Sequence, residues 1–242
     1  MSDQQSRATP DQSHAVKDNI VAIRHRLEQA LVSAGRPADS AAVLAVSKTK
    51  PADMLRAAFD VGQRLFGENY LQEALEKQQA LADLEAIEWH YIGALQSNKT
   101  RDVAEHFSWV HTVDREKIAR RLSEARPASM DALNVCLQVN ISRESSKSGV
   151  MPEALPALAE QVMALPGLRL RGLMAIPAAS DDPAQQRRPH AALRELFETL
   201  ARRYPEAPLD TLSMGMSGDM EAAIDEGATL VRLGTAIFGS RD

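Results

Sequence analysis

Eight short apolar runs of strand length, each parted from the next by a stretch of helical periodicity, constrain this chain more than any single motif. The runs fall at residues 43–47, 64–67, 88–92, 109–113, 134–141, 168–175, 209–213 and 230–233. Between them the spacing predicts helices over 52–61, 71–84, 97–106, 115–125, 152–165, 183–203 and 218–226. Strands that alternate with helices form parallel sheets, because a parallel pair needs a crossover and the crossover is usually a helix. Eight such units in 242 residues match a single (β/α)8 TIM barrel, which typically takes about 250 residues. A doubly wound open sheet would show the same alternation, but no GxGxxG follows the first run. A further amphipathic helix carrying Ile20, Ile23, Leu27, Leu31 and Val32 precedes the first strand and ends at Gly35 and Pro37. Residues 1–14 are polar and read as a disordered tail, which leaves 15–242 as one domain without linker or repeat.

Composition narrows the function classes. A net charge of −5 with only 4% aromatic residues disfavours nucleic acid and anionic membranes as partners. No apolar run approaches the roughly 20 residues of a membrane span, and the N-terminus lacks the apolar core of a signal peptide. Cys136 is the only cysteine, which rules out an intramolecular disulfide and fits a cytoplasmic location. The histidines at 14, 25, 90, 106, 111 and 190 are scattered without HExxH or CxxC spacing, so no metal site is expected. Walker and GxSxG motifs are also missing.

In a barrel the chemistry sits at the C-terminal ends of the strands. Lys48 follows the first run. Partial desolvation there lowers an amine's pKa and favours a neutral nucleophile able to form a Schiff base with an aldehyde, although solvation is the commoner fate of a strand-end lysine. After the second run, Glu68 and Asn69 offer polar groups at the barrel mouth, with helix capping as the competing role for Asn69. His90 lies within the third run, where a satisfied core histidine is the usual outcome. Asp114 suits a helix N-cap. The loop 142–149 is rich in small and polar residues and carries Lys147.

Runs seven and eight lead into Ser213-Met214-Gly215-Met216-Ser217-Gly218-Asp219 and Val231-Arg232-Leu233-Gly234-Thr235. Ser217 is placed as an N-cap, and small residues there leave N–H groups open to a phosphate; barrel phosphate sites commonly use these two loops. Asp219 is a caution, since a carboxylate would compete with an anion. A closed barrel makes strand one the neighbour of strand eight, so Lys48 and this cradle would face one ligand carrying an aldehyde and a phosphate. Pyridoxal 5′-phosphate (PLP) fits. Arg232, two residues before Gly234, could point at the pyridine nitrogen and keep it unprotonated. A sugar-phosphate aldolase would also use a lysine and a phosphate site, but with the lysine on a later strand.

The segments AVSKTKP (45–51), FGENYLQE (66–73), WHYIGALQSNK (89–99), HTVD (111–114), LQVNIS (137–142), SKSG (146–149), LRGLMAIP (170–177), LSMGMSGDMEAAI (212–224) and VRLGTAIFG (231–239) resemble the YggS/PROSC family of PLP homeostasis proteins. The likeness spans nearly the whole chain outside its tail. It implies a fold-type III PLP barrel resembling the N-terminal domain of alanine racemase. It further implies a covalent aldimine at Lys48, Arg232 facing the pyridine nitrogen, phosphate at Ser217, Gly234 and Thr235, and Met216 and Asn69 lining the cofactor. Lys147 matches a family lysine that binds or relays PLP.

Two functions of different class follow. One is a non-catalytic binder that buffers PLP or delivers it to PLP-requiring apo-enzymes; the other is a small amino-acid racemase. Related racemases draw a second base from an additional domain of a partner subunit, and the sequence ends at Asp242, shortly after the eighth unit. The expectation is therefore a cytoplasmic, monomeric PLP binder without robust turnover.

Overall fold

The computed structural model describes residues 8–178, 180 and 182–240. Eight parallel strands close into a barrel in sequence order: β1 (Ala42–Val46), β2 (Leu65–Glu68), β3 (Glu88–Tyr91), β4 (Trp109–Val113), β5 (Leu133–Gln138), β6 (Leu168–Met174), β7 (Thr211–Ser213) and β8 (Leu230–Leu233). The seam is made by β1 and β8, with Ala42 opposite Leu230 and Leu44 opposite Arg232. Helices α2 (Ala52–Asp60), α3 (Leu71–Ala80), α4 (Thr100–His106), α5 (Glu116–Ala125), α6 (Leu155–Met163), α7 (Pro183–Arg203) and α8 (Met220–Asp225) alternate with the strands, and a short α9 (Thr235–Phe238) follows β8. The expected TIM barrel is the observed fold, and the open-sheet alternative is excluded by closure.

The leading helix α1 (Pro10–Ser33) starts earlier than the polar composition of residues 1–14 suggested. Thr9 forms a capping box with Gln12, and Pro10 occupies the first helical position, where its missing N–H costs nothing. Residues 10–14 thus belong to the helix, while residues 1–7 of the expected tail lie outside the described residues. Val16, Ile20, Ile23, Leu27 and Leu31 are buried along its inner face, which packs on α2, α8 and α9. The helix therefore lies across the β8–β1 seam.

The main core lies between strands and helices and contains Phe66, Leu55, Ile118, Leu137 and Leu173. The barrel interior is divided. Leu44, Ile92 and Leu230 fill one part and Trp109, Cys136 and Met174 another, while His90, His111, Ser213 and Arg232 are buried polar groups. Gly172 on β6 sits where the register slips against β5. A Cβ at this position would lie 1.7 Å from the Thr211 carbonyl oxygen on β7, so only glycine allows the two strands to pair.

Candidate cofactor site

At the C-terminal mouth of the barrel, Lys48, Asn69, Met216, Ser217, Arg232, Gly234 and Thr235 line one cavity of about 380 Å³. Val46, Ile92, Met174 and Ile176 give it apolar walls. All seven residues singled out in the sequence meet there, contributed by the ends of β1, β2, β7 and β8.

Each polar group is held from behind. On β1, Val46 and Lys48 face the cavity, so the alternation of a strand turns Ser47 outward. The Ser47 hydroxyl donates to Glu68 Oε1 at 2.6 Å, and Lys77 Nζ on α3 donates to Glu68 Oε1 at 2.7 Å and to the Ser47 carbonyl at 2.7 Å. Lys77 also meets Glu73 Oε1 at 2.5 Å, and the same oxygen accepts the Thr49 N–H. Thr49 has φ 64°, a left-handed conformation that a β-branched residue adopts only when its surroundings impose it. Lys48 is therefore bracketed by two anchored neighbours. This corrects one expectation: Glu68 does not open onto the barrel mouth but is fully buried behind it, in the layer between β2 and α3. Burial raises its carboxyl pKa, with Lys77 and Ser47 pulling it back down. Asn69 is not the cap of α3, where Tyr70 takes that position. It lines the cavity, and its buried Oδ1 has no hydrogen-bond partner among the described residues.

The loop after β7 turns at Gly215, φ 91°, where a Cβ would come within 2.6 Å of Ala223 Cβ. Ser217 is not the N-cap expected of it: α8 begins at Met220, with Asp219 at the cap position. Asp219 is engaged within its own loop and with α7. Its Oδ1 accepts the Met216 N–H at 2.6 Å and its Oδ2 meets His190 Nε2 at 2.9 Å. Burial raises the Asp219 pKa, but these two hydrogen bonds together with the charges of His190 and Arg232 outweigh it and hold the carboxylate ionised. From the other side, Arg26 of α1 donates to the Ser217 carbonyl at 3.2 Å from both Nη atoms and pairs with Glu221 at 2.6 Å. Ser217 is so fixed by two helices.

Arg232 is 5% exposed. Its Nη1 donates to the Ser213 carbonyl at 2.5 Å and to Ser213 Oγ at 2.9 Å, and its Nη2 donates to the Ala175 carbonyl at 2.8 Å. Burial lowers its pKa to about 10, with Asp219 and Cys136 opposing; the guanidinium stays charged at neutral pH. A second cavity of about 220 Å³ adjoins the first, sharing Asn69, Ile92 and Ile176 and adding Gln138, Lys147 and Ser148. Lys147 Nζ lies 3.0 Å from Glu144 Oε1, and Asn140 Nδ2 donates to the carbonyls of Glu144 and Lys147, closing the loop on itself.

Comparison with known proteins agrees with this geometry. The sequence model of the alanine racemase N-terminal domain matches residues 19–242. A pyridoxal phosphate homeostasis protein of Pseudomonas aeruginosa is 60% identical over 227 residues, covering 94% of this chain and 96% of that protein. Among solved structures, PipY of Synechococcus elongatus with PLP bound superposes with a TM-score of 0.82 at 37% identity, covering 93% of this chain and 100% of that one. Alanine racemase from Corynebacterium glutamicum shares the fold with a TM-score of 0.70 at 20% identity over 95% of this chain and 62% of the racemase. The cavity at the barrel mouth and these likenesses lead to one assignment: the chain belongs to the family of pyridoxal phosphate homeostasis proteins, built on the alanine racemase N-terminal barrel.

Proposed function

We propose that this protein binds PLP at the barrel mouth through Lys48 and serves PLP homeostasis rather than catalysis. The observation that carries this reading is the convergence of an amine, an arginine and a small-residue cradle on one cavity. PLP supplies an aldehyde, a phosphate and a pyridine nitrogen, and each has a matching group. Lys48 Nζ is the amine that condenses with the aldehyde, forming a C=N bond and releasing water. Ser217, Gly234 and Thr235 offer hydroxyls and backbone N–H groups to the phosphate. Arg232, anchored on β6 and β7, presents a fixed cation to the ring nitrogen. Asn69, with its unpartnered buried oxygen, and Met216 close the cavity around the ring.

Racemisation needs a proton donor or acceptor on each face of the substrate carbon. Among the described residues lining the cavity, Lys48 is the one amine and none is a carboxyl, imidazole, thiol or phenol; the others are apolar, hydroxyl, amide or guanidinium groups. That supports a binder that buffers PLP or hands it to apo-enzymes. We further assign it to the cytoplasm as a monomer; no helix among the described residues is long and apolar enough to cross a membrane.

The test is the visible absorbance of the purified, PLP-loaded protein before and after borohydride, with peptide mapping of the reduced adduct. A yellow chromophore with label at Lys48 supports the reading. A colourless protein, or label elsewhere, overturns it. Racemase assays across the amino acids decide between carrier and enzyme: sustained turnover would refute the carrier role, and light scattering checks the monomer.

A further inference from the structure

A line of buried polar side chains runs through the barrel interior from the cavity to the opposite face. Ser213 Oγ, which accepts from Arg232 Nη1, lies 2.8 Å from His111 Nδ1. His111 Nε2 is 2.9 Å from His90 Nδ1, and His90 Nε2 is 2.9 Å from Glu88 Oε1. His90 and His111 are 1% and 0% exposed, whereas the Glu88 side chain at the start of β3 is 43% exposed. Trp109 stacks on His90 with ring centroids 5.3 Å apart, which fixes the ring plane.

The donor and acceptor inventory leaves one neutral arrangement. Arg232 fills one lone pair of Ser213 Oγ, and because the Glu88 carboxylate at the far end only accepts, the two neutral imidazoles must each donate towards it, so the Ser213 hydroxyl sends its own proton to His111 Nδ1. His111 then carries its hydrogen on Nε2 and donates to His90 Nδ1. His90 likewise carries its hydrogen on Nε2 and donates to Glu88, a carboxylate that only accepts. Every link points away from the cavity. One added proton changes this. An imidazolium at His90 donates from both nitrogens, so His111 Nε2 becomes an acceptor, the His111 hydrogen moves to Nδ1, and the bond to Ser213 reverses. Ser213 Oγ then receives two donors, and its own hydrogen loses its acceptor.

We propose that Glu88, His90, His111 and Ser213 form a polarised hydrogen-bond relay that positions Arg232 and couples its surroundings to protonation at the far face of the barrel. None of the four relay residues lines the cavity, so they are positioning residues. The inference rests on the PLP reading only for its effect on cofactor; the relay itself belongs to the unliganded chain. The charged groups around it agree with a neutral resting state. Burial lowers the His90 pKa against the opposing pull of Glu88. Burial, together with the positive charges of His90 and Arg232, drives His111 well below the ordinary histidine value. Glu88 is held ionised by its hydrogen bond to His90, with Trp109 and Arg171 adding to it. Arg171 lies over Trp109 and is itself paired with Asp210. Asp219 bears on Arg232 from the β7 loop, and the Cys136 thiol beside the line is neutral, its pKa raised by burial. Relay reversal therefore belongs to the acid side of neutrality. Hydrogen-bond chains polarise cooperatively, so the change at His90 reaches the Arg232 Nη1 contact.

The deciding experiment uses the full chain without cofactor, labelled with 15N at histidine and arginine. The relay requires both His90 and His111 as neutral Nε2–H tautomers at pH 7.5. It also requires an Arg232 side-chain N–H resonance that moves with the same midpoint as His90 on acidification. Glu88→Gln keeps an acceptor for His90 but removes the charge, and its half-exposed site spares the fold. In this variant the Arg232 resonance should shift already at pH 7.5 and the common midpoint should fall by at least about half a pH unit. An Nδ1–H tautomer at His111 in the wild type overturns the proposal. So does an Arg232 resonance indifferent to both pH and Glu88→Gln. A protein with the predicted tautomers and coupling that takes up no PLP keeps the relay and refutes the cofactor reading instead.

Discussion

Replacing Lys77 by methionine should destabilise the fold and loosen the strand end that carries Lys48, the residue proposed to hold the cofactor, because Lys77 joins Glu68 to the backbone of Ser47. The Lys77 and Glu68 side chains are 4% and 0% exposed. Breaking a buried pair by removing one partner costs about 3–5 kcal/mol, since the remaining charge is left without compensation. The lost bond to the Ser47 carbonyl falls within that range rather than adding fully to it. With a urea slope of about 3 kcal/mol/M, a loss of about 3 kcal/mol moves the unfolding midpoint down by about 1 M. The pH dependence identifies the cause. Burial already raises the Glu68 carboxyl, and Lys77 is the main opposing influence, so Lys77→Met raises it further. Between the unfolded value of about 4.3 and the higher folded value, the folded state binds more protons than the unfolded one. Stability therefore falls as pH rises through that window. The gap between variant and wild type should be widest at pH 7.5 and shrink towards pH 5. Adding Glu68→Gln, which removes the stranded charge, should recover at least half of the loss. Urea titrations at both pH values give all of these numbers. A variant within about 1 kcal/mol of wild type at pH 7.5, or a gap indifferent to pH, would refute the buried-charge argument.

Other perturbations read out other parts of the fold. Gly172→Ala sets a Cβ into the Thr211 carbonyl at 1.7 Å, so the variant should lose more than about 4 kcal/mol or fail to fold, as thermal melting and soluble yield will show. The Cys136 thiol, fully buried with its pKa pushed up to about 12, should resist thiol reagents in the native protein and react only on unfolding; stoichiometric native labelling would contradict this. Asp219→Ala removes the acceptor for the Met216 N–H and for His190. It should lower stability by about 1–3 kcal/mol and weaken PLP retention in gel filtration, with Lys48 still able to take the label.

How much of this could be read from sequence follows the range of each signal. Apolar periodicity is local, so all eight strands are legible, with ends displaced by up to three residues. The polar cavity residues are legible because a barrel places strand ends together, which turns Lys48, Arg232 and Thr235 into neighbours without any contact being visible in the sequence; Met216 follows from the family resemblance alone. Glu68 was misread although the means to place it were present. Val46 and Lys48 on one face imply Ser47 on the other, and the same alternation sets Glu68 opposite to Gly67 and Asn69. The start of α1 was missed because polar composition was weighed above the Thr9–Gln12 capping pair. Small polar residues before a helix usually cap it, which is what the sequence suggests for Ser217; its geometry depends instead on Asp219 and Arg26, which act from another turn and another helix. The histidine relay had no local signature at all. His90 and His111 are 21 residues apart, and Ser213 is a further 102 from His111; only strand register brings them into line.

The three groups that would meet PLP share one construction. Lys48 is fixed through Ser47 and Thr49 by Glu68, Lys77 and Glu73; Ser217 through its loop by Asp219 and Arg26; Arg232 through Ser213 by His111. In each case the anchor lies outside the cavity, behind a strand end or inside the barrel. A site held this way loses little freedom when it is filled, so affinity does not depend on a closing movement. The same separation lets binding be tuned without touching the amine. Loss of Asp219 should loosen the loop that carries Ser217, and loss of Glu88 should alter the hydrogen bonds that hold Arg232, while neither removes Lys48. For a protein proposed to take up and release its ligand, that division is an advantage. On the proposed reading, the reversible C=N bond at Lys48 supplies capture, and the surrounding anchors set how long the cofactor stays.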